Sequence, residues 1–437
     1  MKRLLTFLFL LVTLQVAAQP YYNEWINYSN TYYKFKVGST GLYRISSSVL
    51  AANGLGGVPA QNFQLFRNGQ EVPIFTTQAT GPLGAGDYIE FWGLMNDGVP
   101  DKPLYRSPTY QHTTHSSLET DTAEYFLTVN STGNTFHSYN AANNVAGSTL
   151  TPEPYFMYTA GTYFRDGGVN PGFAQVVGEY IYSSSYDIGE FWSTAAFGPG
   201  SPYTSTVGNL NPYTGGGAPA ATLKWGAVGT ADDSRTVQVT INGNQIGDTV
   251  MNSFYDAQTT WPVPQSAVNT GSVTVGFINQ STVSTDLMVA SFYELNYPRL
   301  FNFGGQSNFS FQLPARASGY LLNITNFALS GSGATPILYD LSNGYRYSAV
   351  VSGSTLAFAL PGTAAATSFV LVNEDPGTVQ NVTGLTVKNF ENTSVGGNQA
   401  NYIIISNPVL YTDGTNDGVN PVNDYKAYRS SVAGGSY

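Results

Sequence analysis

One pattern constrains this chain more than any other. Short runs in which apolar and polar side chains alternate are closed, again and again, by Gly or Asn-Gly. Tyr32 to Val37 alternates, Gly38 to Gly41 turns, and Leu42 to Ile45 resumes the alternation. Phe63 to Phe66 and Glu71 to Ile74 flank Arg67-Asn68-Gly69, and Thr236 to Ile241 runs into Asn242-Gly243 before Gln245 and Ile246. Alternation with period two puts one face of a strand on a core, and Asn-Gly supplies the two positive-φ residues of a tight hairpin. Asp87 to Trp92 and Glu124 to Val129 also alternate, and Ser272 to Phe277, Leu287 to Phe292, Tyr320 to Ile324 and Pro336 to Asp340 read as further strands. Ser342-Asn343-Gly344 turns into Tyr345 to Tyr347. Ser46 to Asn53 reads as one short helix stopped by Gly54, and the Gly/Pro/Asn-rich stretch 198–219 as a long loop. The expected fold is mostly β, with tandem β-sandwich or jelly-roll-like domains.

Composition narrows the function. Lys+Arg number 17 against 47 Gly and 31 Tyr, and the net charge is −10. No basic cluster follows residue 3, so nucleic acid, which is bound by releasing counterions from phosphates, is not an expected partner. The chain has no Cys, which excludes disulfides, zinc–thiolate centres and a cysteine nucleophile within it. Lys2 and Arg3, an apolar run from Leu4 to Leu14 and the small residues of Val16-Ala17-Ala18 make a secretory signal peptide over 1–18, cut before Gln19. The run is shorter than the roughly 20 residues a membrane-spanning helix needs, and no transmembrane segment is expected. The organisation read from these signals is a signal peptide (1–18), an N-terminal β-rich domain (19–150), a jelly-roll-like β-sandwich (151–300), a small β-domain (301–398) and the start of a different domain (399–437). That last segment changes texture. Tyr402 to Ser406 is continuously apolar, as in strands covered on both faces, and Asp424 to Ser431 reads as a helix behind it.

Several of these landmarks also carry a resemblance. Tyr33 to Val37 with Gly41 to Ile45, Gly86 to Phe91, Thr120 to Thr128, Tyr180 to Trp192 with its Ser183 to Asp187 core, and Leu295 to Arg299 together resemble the N-terminal region of gingipain-like cysteine peptidases. Within that family they are similar to the large sortase-like (PorU-like) members of the type IX secretion system of Bacteroidetes. Tyr402 to Pro408 resembles the opening strand of the family's caspase-like α/β domain. The resemblance implies a cysteine endopeptidase exported through the Sec pathway to the outer membrane, cell surface or medium. Its partners would be protein substrates or type IX secretion components, and this chain would be the leader, the β-rich platform and the truncated start of the catalytic domain. The family's Cys and His lie downstream of that strand. No catalytic residue carries over, because Cys is absent and no His follows His137.

The remaining candidates are weighed from the residues alone. His112 and His115, with Glu119, Asp121 and Glu124 nearby, have metal-ligand chemistry, but the Ser/Thr-rich setting reads as a solvated loop. Asp413, Asp417 and Asp424 fall at positions 1, 5 and 12 of a partial calcium loop with Gly418 at position 6. Thr415 at position 3, Pro421 at position 9 and the missing Glu favour a polar turn. No cofactor is expected, calcium at this turn being the one weak candidate. Asn96-Asp97-Gly98 with Asp101 is a similar acidic turn. Trp92, Trp192, Trp225 and Trp261 are either core or a sugar-stacking platform, and Arg44, Arg165 with Asp166, and Arg299 read as structural pairs. The rival to the peptidase reading is an exported adhesin or glycan-binding protein without enzymatic activity. A third role is a platform or chaperone-like prodomain.

Overall fold

The computed structural model describes residues 23–131, 135–176, 180–182, 185–396, 400–415 and 418–437. The signal peptide at 1–18 lies outside the described residues. The chain forms two compact units, one of residues 32–387 and one of 23–31 with 388–437.

The larger unit holds three β cores. In the first, strands Tyr32–Val37, Ala123–Val129, Phe63–Arg67 and Gln70–Val72 lie side by side, facing a sheet built on Gly41–Ser46 and Tyr88–Gly93. Phe35, Phe63 and Tyr125 from one sheet meet Ile45, Ile89 and Phe91 from the other. The hairpin after Arg67 closes as the sequence requires, with Asn68 at φ 49° and Gly69 at φ 77°. Ser46 caps the helix Ser47–Ala52 by accepting the Val49 N–H.

The second core is a sandwich of two four-stranded sheets. One runs Tyr203–Val207, Val273–Asn279, Ser234–Ile241 and Asn244–Asn252; the other runs Asp256–Val263, Ala221–Gly229, Met288–Arg299 and Phe156–Tyr163. Trp225, Phe277, Tyr293 and Tyr297 fill the space between them. Each large buried ring of this kind contributes about 2–3 kcal/mol by burial. The stretch 198–219 is not loop throughout: Tyr203–Val207 pairs with Val273–Asn279. Only Tyr203 and Val207 at its ends pack on the core, and the Thr-Ser-Thr between them gives this half-exposed edge strand too little apolar alternation to be recognised.

The third core is Phe-rich. Phe303, Phe309, Phe311, Phe358 and Phe369 pack between a sheet containing Tyr320–Phe327 and Thr355–Leu360 and one containing Asn308–Leu313, Thr367–Val372 and Ile337–Asp340. Two strands lace it to the first core. Tyr139–Ala141 pairs in parallel with Tyr345–Ser348, and Val379–Asn381 returns to pair in parallel with Gly41–Ser46. Leu42, Trp92, Ile337, Tyr339, Val370 and Val379 then make one apolar cluster from both.

In the smaller unit, helix Pro421–Ser430 is capped by Asn420, whose side chain accepts the Asn423 N–H. It begins a few residues before the start expected at Asp424. The strand expected at Tyr402 to Ser406 does not form. These residues have no ladder partner among the described residues, and Ile403 and Ile405 are 79% and 95% exposed. A continuous apolar run is suited to two covered faces, yet it becomes a strand only when a neighbour supplies hydrogen bonds. No helix among the described residues is long and apolar enough to cross a membrane.

Candidate functional site

The histidine pair does not form a metal centre. His112 is 2% exposed, its ring stacked on Phe191 at 4.1 Å and edge-on to Phe292. The expected solvated loop is corrected at His112: Thr114 and His115 stay exposed, while the His112 ring is drawn into the sandwich and pairs at both nitrogens. His112 Nε2 lies 2.9 Å from Asp256 Oδ2 and Nδ1 lies 2.6 Å from Ser291 Oγ. Since a carboxylate only accepts, Nε2 carries the proton and Nδ1 accepts from the serine hydroxyl. Burial holds the imidazole below its usual pKa, which keeps it neutral. His115 points elsewhere, its ring flat on Tyr163 at 3.8 Å. Asp121 pairs with Arg165 and Glu124 with Lys34. Among the described residues, no three His, Asp or Glu side chains gather to hold a metal.

Serine, imidazole and carboxylate in a row have the connectivity of an activated nucleophile. Here the row is structural. Ser291 is 1% exposed, and a Cβ added at Gly226 would come within 2.5 Å of Nδ1 and 2.7 Å of the serine oxygen. No substrate reaches a hydroxyl packed that closely. The triad fastens the 111–118 segment to strands Asp256–Val263 and Met288–Arg299.

The acidic turns are satisfied from within. Asp97 accepts from Arg67 at 2.8 Å, and Asp101 accepts from the Ser117 hydroxyl and the Leu118 N–H. Asp413 accepts from the backbone and hydroxyl of Thr415, and Asp424 lies in the first turn of helix Pro421–Ser430. Asp417, the middle position of the calcium pattern, lies outside the described residues, as do Ser183 and Ser184 of the resemblance core. Trp92 and Trp225 are buried, Trp261 packs on Trp225 at 5.3 Å, and Trp192 lies under the Arg165 guanidinium. These rings serve packing. Arg299 donates to the carbonyls of Asn209 and Asn302, and Asp166 accepts from the Tyr203 hydroxyl.

Two features were invisible in the sequence. The first is a buried charged joint between the first and third cores. Glu90, wholly enclosed, accepts from Arg44 Nε at 2.6 Å and from the Tyr339 hydroxyl. Arg346 donates to the same Tyr339 oxygen at 2.9 Å, to Asn140 at 3.1 Å and to Glu374, while stacking on Phe75. Burial, and then the Glu90 charge, push the Tyr339 hydroxyl and the Glu374 carboxyl above their usual pKa values. The second is a cleft of about 860 Å³ where the three cores meet, walled by Trp92, Tyr155, Tyr158, Phe311 and Tyr320. Arg316 and Glu153 form an ion pair among its lining residues, with the guanidinium over the Tyr320 ring at 4.2 Å.

No family model matches the sequence, and no curated protein matches it. Among solved structures, the chain is similar to dimeric latent PorU from Porphyromonas gingivalis. Identity is 12% and the TM-score 0.52, over 82% of this chain and 33% of that one. A CBM36 carbohydrate-binding module in complex with calcium and xylotriose aligns at 12% identity and a TM-score of 0.21, over 31% of this chain and 98% of the module. The CBM36-1 domain of a multidomain xylanase from the hindgut metagenome of Trinervitermes trinervoides aligns at 9% and 0.21, over 32% of this chain and 96% of that domain. The matched region is about a third of the PorU chain. What the PorU likeness establishes is the fold: tandem β modules in the arrangement that latent PorU also uses.

Proposed function

We propose that this chain is the non-catalytic N-terminal platform of an exported, gingipain-like cysteine endopeptidase of the type IX sortase class, a protein that processes other secreted proteins at the cell envelope. The observation that carries the reading is the fold shared with latent PorU over 82% of the chain. The absence of Cys agrees with a platform role, because a thiolate beside a base must then come from elsewhere. We assign 399–437 to the opening of the caspase-like domain. The exposed Ile403, Ile405, Val409 and Val432 are the kind of apolar surface a neighbouring sheet and helices would cover.

Two measurements test this. The purified chain should hydrolyse no peptide with or without added thiol; thiol-dependent turnover would end the platform reading. An antibody raised against it should detect, in envelope or secreted fractions, a polypeptide far larger than 46.9 kDa. A native band at or just below that mass would remove the peptidase assignment.

A further inference from the structure

The cleft between the three cores is bordered by two sheet edges. Asn308–Leu313 is the outermost strand of its sheet, and Phe156–Tyr163 is the outermost strand of the sandwich sheet. Pairing fixes which backbone groups each edge leaves open. Asn373 donates to Ser307, and Leu341 donates to Ser368 on the far side of strand Thr367–Val372. Phe309, Phe311 and Leu313 therefore bond inward to Leu371, Phe369 and Thr367, and Ser310 and Gln312 turn their N–H and C=O outward. On the other edge Phe164 donates to Ser291, so Phe156, Tyr158 and Ala160 bond inward and Met157 and Thr159 turn outward. The backbone groups of these four residues take no hydrogen bond from any described residue. All four line the cleft.

We propose that this cleft binds a polypeptide segment in extended conformation, uncharged along its length, by strand addition to these edges. Unpaired edge groups are a template for another strand, with backbone bonds giving affinity and alternate side chains giving specificity. Charge selects the occupant. Glu153 and Arg316 are the only charged residues among those lining the cleft, and they neutralise each other. The rest offers rings, hydroxyls and amides, so a charged segment would lose solvation without gaining a partner. This goes beyond the platform reading: binding is a property of this chain and requires no catalytic domain, so it stands or falls separately from any proteolysis.

The test is fluorescence anisotropy with a labelled, end-blocked peptide of alternating valine and threonine, seven residues long, against the purified chain. We expect saturable binding at or below about 1 mM. Proline removes an outward N–H without breaking an inward ladder bond, so Ser310→Pro or Thr159→Pro should weaken binding about tenfold, the worth of about one well-made hydrogen bond, while Ser310→Ala should not. If both proline variants misfold, the same peptide N-methylated at alternate residues decides, since one methylation phase should bind about tenfold more weakly than the other. No binding up to that concentration overturns the proposal. So does binding indifferent to both proline and N-methylation, or binding of xylohexaose in place of the peptide.

Discussion

Two buried arginines in this charge-poor chain have similar surroundings and opposite uses. Arg235 lies inside one sandwich. It donates to Asp286 through Nε and Nη2, and to the carbonyls of Ser253, Ala231 and Asp233. Asn279 completes the Asp286 carboxylate at 3.0 Å. Every partner comes from residues 231–286, and together they tie off three loops at one end of the sheets. Arg346 lies at a boundary. Its partners come from residues 90, 140, 339 and 374, and Arg44 from the first core shares two of them. A charge inside one module closes that module's loops. Charges between modules fix how two apolar surfaces meet, because Leu, Ile and Val can slide over one another and a buried carboxylate cannot give up its donors.

The largest effect should come from Arg235→Met. It leaves Asp286 buried without its cation and takes a donor from three carbonyls, of which Asp233 keeps the Ser253 N–H. We expect a loss of about 4 kcal/mol, the range typical of breaking a buried pair by removing one partner. Denaturant unfolding should show it as a lower midpoint for the sandwich. Amide exchange in Ile337–Asp340 should not change at denaturant concentrations below the new midpoint. Equal acceleration there would erase the contrast between the two arginines.

Glu90→Gln sharpens the same comparison from the other side. Arg44 and Arg346 would share one remaining carboxylate, Glu374, and the cluster would gain a net positive charge where the native set balances. A hydrogen bond to a charged group contributes about 1.5–3 kcal/mol, so a loss near 2 kcal/mol is expected. It should appear as faster exchange in Tyr88–Gly93 and Ile337–Asp340, with Ser234–Ile241 unaffected. Glu374 itself sits at φ 52°, a left-handed conformation that costs a non-glycine residue about 1 kcal/mol or more. The joint holds that strain in place, so Glu374→Gly should relieve backbone strain while removing charge, and be milder than Glu90→Gln.

How much of this was readable beforehand follows from distance along the chain. The Asn68-Gly69 and Asn242-Gly243 hairpins and the Ser46-capped helix were legible because each is decided by a handful of adjacent residues. The β class followed from alternation. The fate of His112 did not, since Asp256 and Ser291 are 144 and 179 positions away. Glu90 meets Tyr339 across 249 positions, and nothing local to either marks the meeting. Tyr402 to Ser406 failed for a related reason: hydrophobicity states that a segment wants cover, not that a partner strand is there to pair with it.

The smallest effect tests the third buried polar centre, which differs from both arginines in being titratable near neutrality. The folded state holds His112 below its usual pKa, while the unfolded chain protonates near about 6.5. A depressed histidine contributes stability that is present above the unfolded value and is lost as pH falls below it, because the unfolded state then binds the proton more readily. The melting temperature should therefore decline between roughly pH 7 and pH 5. His115 and His137 are depressed by burial as well and share in that slope. His112→Asn should remove the largest part of it, since its ring is stacked on Phe191, edge-on to Phe292 and bonded at both nitrogens. A slope unchanged in His112→Asn would place the pH response on the other two. The Arg346 guanidinium, held above its usual pKa, keeps its charge through this range, and that difference separates a fastening made by a neutral ring from one made by a fixed cation.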